Sequence, residues 1–151
     1  MIIVMSAFAV AVTLMQAQAP PKPANQACET LTAVQVASLI GAAARTMPVT
    51  ASPTGSTCMF QNNDKVITVL MATLATVDAA HGLYSAKKRI ASGVEMKGWG
   101  VPAYSGAVQA ATVGILLKQT FTEVKVIDPA QKPEAMAVQL QAVMKEIAGR
   151  K

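Results

Sequence analysis

His81 is the only histidine in the chain, and Asp78, Tyr84 and Ser85 lie within four residues of it. These are side-chain types used in acyl transfer, where an acid orients an imidazole that activates a hydroxyl. The pattern around them is that of a surface. Asp78 is a good N-cap for a helix on which Ala79, Leu83, Ala86 and Ile90 recur at spacings of four, three and four and mark a buried face. His81, Tyr84, Ser85 and Lys88 then fall on the opposite, wet side. No Gly-x-Ser-x-Gly elbow offers another nucleophile. Paired carboxylates are the next chemistry to test. Of Glu29, Asp64, Asp78, Glu95, Glu123, Asp128, Glu134 and Glu146, only Glu95 and Glu123 fall near strand candidates and the Trp-containing turn. Ordinary solvated carboxylates are the expectation. Two cysteines and one distant histidine make no zinc pattern, and no phosphate-binding glycine loop is present. The sequence therefore predicts no catalytic set, no metal and no cofactor.

Two stretches point to binding instead. GWGVPAYSG, residues 98–106, holds the single Trp, Trp99, together with Tyr104. Gly98 and Gly100 bracket the Trp, which suggests a backbone with positive φ or a close approach. Trp99 and Tyr104 are expected first to close the end of an aromatic-poor core and second to wall a ligand cleft. Lys87, Lys88 and Arg89 form a basic run, either a solvated helix face or a docking surface for an anionic partner.

The elements that must position these residues follow from periodicity. Thr32 and Gln35 fit a capping box ahead of a helix carrying Val36, Leu39 and Ile40, with Gly41 at its end. Residues 46–56 read as a Pro-, Thr- and Ser-rich loop. TCMFQ and VITVLMATL flank a polar turn and predict a hairpin, and the second helix ends at Gly93. Residues 111–118 and 121–127 predict a second strand pair, the latter with one wet face. A last helix from Pro133 carries Met136, Leu140, Val143, Met144 and Ile147 as its apolar stripe. The expected fold is α+β, an antiparallel sheet of four to five strands with helices packed on one face, in the order helix-strand-strand-helix-strand-strand-helix.

The N-terminus sets the compartment. An apolar run from Ile2 to Met15 precedes Ala17-Gln18-Ala19, the pattern of a secretory signal peptide cut after Ala19, although no Lys or Arg precedes the run. The division expected is a signal peptide over 1–19, an exposed tail over 20–27 and one domain over 28–151. Export makes the even cysteine count, Cys28 and Cys58, favour one disulfide over two buried thiols. The net charge of +5 favours anionic surfaces, but there is no basic stripe with interleaved aromatics, so nucleic acid is not expected.

Four local features give a resemblance. They are CETLTAVQVASLIG from Cys28, the strand STCMF, the turn GWGVPAY, and a hydrophobic strand pair before a C-terminal helix. Together they resemble a family of small exported bacterial proteins represented by actinobacterial secreted lipoproteins of unknown function, over about residues 28–148. The resemblance implies a Cys28–Cys58 disulfide, an antiparallel sheet packed by helices, and ligand binding like that of extracytoplasmic sensor-like domains, without known catalysis. This chain departs from it in lacking a lipobox. The functional expectation is a secreted or periplasmic, non-catalytic domain that binds a small molecule, lipid or envelope component. Membrane contact would be peripheral at most. The alternative is an accessory protein docking through Lys87, Lys88 and Arg89. A hydrolase ranks last.

Overall fold

Strands occupy more of the chain than two hairpins would use. The computed structural model describes residues 25–150. The signal peptide expected over 1–19 and most of the expected tail lie outside the described residues. One antiparallel sheet of seven strands runs in the order β1-β2-β3-β7-β6-β5-β4. Its strands are β1 (Arg45–Ser52), β2 (Gly55–Asn62), β3 (Lys65–Thr73), β4 (Val94–Glu95), β5 (Ala103–Gly106), β6 (Ala111–Leu117) and β7 (Thr120–Ile127). This corrects the expectation of four to five strands. The two hairpins β2–β3 and β6–β7 stand where they were expected. The additional strands are those whose own residues argue against them. β1 carries Pro48 and lies in the stretch expected to be a loop, but it is an edge strand, where a sheet tolerates proline, and its register shifts between Pro48 and Thr50. β4 is too short to show a period. β5 is Ala-Tyr-Ser-Gly, a poor strand sequence that is nonetheless wholly buried between its neighbours.

The helices pack on both faces of the sheet, not on one. Along β6, Ala111, Val113 and Ile115 join the main core, whereas Leu116 points the other way, toward Ala80 and Tyr84. The main core lies under α1 (Gln26–Glu29), α2 (Ala33–Ile40) and α4 (Pro133–Gly149). The opposite, outer face carries α3 (Val77–Ile90), which packs on β5, β6 and β7. Covering on both sides explains the near-continuous apolar run of β6. It also corrects the wet face expected on β7, where Glu123 is only 3% exposed.

The caps fix where the helices start. Thr32 accepts from the Gln35 amide while the Gln35 side chain accepts from the Thr32 amide, completing the expected capping box. The N-cap of α3 is Thr76, whose hydroxyl accepts from the Ala79 amide, and not Asp78. Its buried face is Ala80 and Tyr84, one residue on from the expected stripe, and Ile90 is 72% exposed. On α4, Met136, Leu140 and Met144 are buried and Val143 and Ile147 half-buried. Ahead of α2, the short α1 takes in residues 26 and 27 of the expected tail, and Ala27 is fully buried. Cys28 in α1 is disulfide-bonded to Cys58 in β2, with Cα atoms 5.0 Å apart. That bond belongs to an oxidising, extracytoplasmic setting. No described helix is long and apolar enough to cross a membrane.

Candidate functional site

The Trp-containing turn joins β4 to β5, with Gly98 at φ 77° and Gly100 at φ 70°, conformations that a side chain would oppose. Trp99 is half-buried and packs against the main core. Tyr104 leaves β5 on the outer face and is fully buried there, edge-on to Tyr84 and stacked with Phe121. The two residues expected to wall one cleft thus serve the cores on opposite faces of the sheet, and the structure does not bring them together.

The ring of Tyr104 lies across β6 at Gly114, where a Cβ would stand 2.3 Å from it. It reaches over that glycine to β7, where its hydroxyl donates to the buried Glu123 carboxylate. Lys125 and Lys87 face the same carboxylate at 3.4 and 3.9 Å. Burial first, then the bond to Glu123, raises the Tyr104 hydroxyl far above the usual tyrosine range. Glu95, Tyr104, Gly114 and Glu123 occupy one row across β4, β5, β6 and β7. The two carboxylates singled out from the sequence therefore share a face. Their strands are three spacings apart, about 14 Å at the backbone, and the Tyr104 ring lies between them over Gly114.

Above this row, α3, the turn that follows it, β4 and the end of the β4–β5 connection border an open recess of about 550 Å³ lined by His81, Tyr84, Ser85, Lys88, Arg89, Ser92, Gly93, Glu95 and Pro102. Lys88 donates to Glu95 at 3.0 Å, so these two charges cancel. Among the described residues no carboxylate lies within 4 Å of Arg89, which is exposed. His81 and Ser85 are exposed on the same helix. Tyr84 is only 5% exposed, and its hydroxyl is buried with no hydrogen-bond partner among the described residues. Burial, and next the nearby Glu95 carboxylate, push its pKa up to about 12. An unpaired buried donor of this kind costs about 1–3 kcal/mol.

The basic run does not form one face. Lys87 turns inward to Glu123, Lys88 is tied to Glu95, and Arg89 alone of the three is left without a carboxylate among the described residues. Tyr84, Ser92, Gly93 and Pro102 are the lining residues that the sequence did not mark as binding groups. The signal for Tyr84 was present. Ala80, Tyr84, Lys87 and Ala91 recur at the same four-three-four spacing as the stripe that was expected. No group of three His, Cys, Asp or Glu side chains that could hold a metal ion occurs among the described residues. No family model, curated protein or solved structure matches this chain.

Proposed function

We propose that this chain is an exported, non-catalytic binding domain, and that its ligand seat is the recess between α3 and the β4–β5 connection. The observation that carries the reading is Tyr84 in the wall of this recess, a nearly buried side chain whose hydroxyl has no hydrogen-bond partner among the described residues, beside the hydroxyls of Ser85 and Ser92 and the cation of Arg89. Native structures seldom leave such a group unpaired, and a ligand that brings an acceptor would satisfy it. After Lys88 and Glu95 cancel, Arg89 leaves the recess net positive, so the ligand class is a small anion with further acceptors, a carboxylate or a phosphate monoester. The Cys28–Cys58 disulfide and the signal-peptide pattern support secretion or a periplasmic location. Glu123 is already held by Tyr104, Lys87 and Lys125 and Glu95 by Lys88, and with the exposure of His81 this favours binding over hydrolysis. Docking through the basic run has less support, because two of its three cations already face carboxylates.

Amide chemical shifts test the seat. Titrating the chain with inorganic phosphate, acetate and glycerol phosphate is expected to move the resonances of Ser85, Lys88, Arg89 and Ser92 in a saturable way. Arg89→Gln is expected to weaken binding about tenfold, the loss of one charge-assisted contact. Shifts scattered over the surface, or saturation unaffected by Arg89→Gln, would remove the recess as the seat.

A further inference from the structure

The outer face of the sheet is only half covered. α3 packs over β5, β6 and β7, and beyond it two cross-strand rows on the same face are exposed or half-buried at every position but Thr112. One is Arg45, Gln61, Val66 and Ile127. The other is Met47, Met59, Thr68, Lys125 and Thr112. Residues directly opposite across strands point to the same side, and Lys125 and Ile127 follow Glu123 on the α3 side by the period of two. Neither row contains a carboxylate. At one end of this face Ile90, Val108 and Ile127 meet around a groove of about 460 Å³ that also takes in Ala91, Ala110 and Lys125. Ile90 is 72% exposed, Val108 67%, Ile127 48% and Met47 37%.

We infer that this end of the outer face rests on a lipid bilayer bearing anionic headgroups. Large aliphatic side chains clustered in the open mark an interaction surface, and the charges around them select the partner. Arg45 is exposed at the head of its row, and Arg89 precedes Ile90. On α3 and β7, Lys87 and Lys125 share the one carboxylate of Glu123, which leaves that cluster net positive. A cationic rim attracts the headgroups while the aliphatics enter the boundary between headgroups and acyl chains. A soluble polyanion would use the cations and leave Ile90, Val108 and Ile127 without a role. A protein partner would have to supply the complementary negative charge itself. Arg89 stands between this face and the recess above, so the test relies on residues that do not line the recess.

Co-sedimentation with lipid vesicles reads the contact directly. The disulfide-bonded chain is expected to pellet with vesicles of phosphatidylglycerol mixed into phosphatidylcholine, weakly or not at all with phosphatidylcholine alone, and less as salt rises. The variant Ile90→Ser/Val108→Ser changes two exposed positions without altering charge and is expected to lower partitioning about tenfold or more, the loss of two buried aliphatic side chains. Arg45→Glu, on the exposed edge strand, is expected to weaken binding to the mixed vesicles. Failure to bind the mixed vesicles overturns the inference. So does binding that survives Ile90→Ser/Val108→Ser, which would mean adhesion by charge alone. Self-association of the chain that this double variant abolishes would also overturn it, by assigning the face to a second copy.

Discussion

Tyr84 and Tyr104 stand edge-on in one aromatic cluster, but their hydroxyls meet different fates. Tyr104 donates to Glu123, whereas Tyr84 finds no partner among the described residues. Burial holds both phenols neutral, with Glu95 acting further on Tyr84 and Glu123 on Tyr104. These are the chain's only tyrosines, which makes their titration a clean readout. An unfolded tyrosine loses its proton near pH 10. The folded chain keeps the Tyr84 proton to about pH 12, and the Tyr104 proton beyond that. Between those limits the native state binds more protons than the unfolded state, so stability is whole below about pH 10 and falls as pH rises above it. Tyrosinate absorbance followed beside far-UV circular dichroism is expected to show no ionisation step near pH 10 in folded protein. The absorbance should rise together with unfolding. A phenol that titrates near pH 10 while the fold persists would contradict the burial assigned to these rings. From sequence, Glu95 and Glu123 were already recognisable as the carboxylates near strands. Their common row was not, because it depends on β4 and β5, which carry too few residues to announce themselves.

Helix α3 shows what periodicity resolves and what it leaves open. Two stripes one residue apart, from Ala79 and from Ala80, have identical spacing, and the second is the buried one. The first looks better in isolation because it ends in Ile90, whereas the second contains Lys87. What reverses the choice is the sheet. Lys87 finds Glu123, Tyr84 meets the rings of Tyr104 and Phe121, and Ile90 is left outside. The same reversal applies to the cap, since Thr76 and Asp78 are both good N-cap residues and only Thr76 accepts from a helix amide. Thr76→Ala is therefore expected to cost about 1 kcal/mol in urea unfolding. Asp78→Ala should cost less than about half that, the share of an acidic residue in the first turn. Equal losses, or a larger one for Asp78→Ala, would move the helix start. The elements legible in the sequence were those with long, self-consistent patterns, the β2–β3 and β6–β7 hairpins, α2 with its capping box, and α4. β1 was obscured by Pro48, which an edge strand accommodates and a central strand would not.

At the scale of the whole molecule, the seven-stranded sheet has one well-buried region and one thinly supported side. Strands β5, β6 and β7 are covered on both faces, whereas β1 is an edge strand exposed along nearly its whole length. What holds the β1 side is local. The Asn25 amide group donates to the Thr50 and Thr57 carbonyls, each at 2.9 Å, and the Ala27 amide donates to the Ser56 hydroxyl at 2.9 Å. The residues making those bonds belong to α1 and its cap, and α1 has four residues, too few to stand as a helix without tertiary support. The Cys28–Cys58 disulfide closes this arrangement by joining α1 to β2 across a sequence separation of 30. On the chain-entropy account a loop of this length stabilises by roughly 3–4 kcal/mol. Cys28→Ser/Cys58→Ser is expected to lower the stability read from urea midpoints by that order. Amide hydrogen exchange should show where the loss falls. Protection should drop first at Ala27, at Cys28 and along β1, whose anchors the bond maintains, while β6 and β7 keep theirs until global unfolding. Equal loss of protection in β1 and β7 would mean that the bond supports the sheet as a unit. An unchanged midpoint would mean that α1 docks without it. The expected gradient assigns the disulfide the specific task of keeping the exposed edge of the sheet closed by its N-terminal segment.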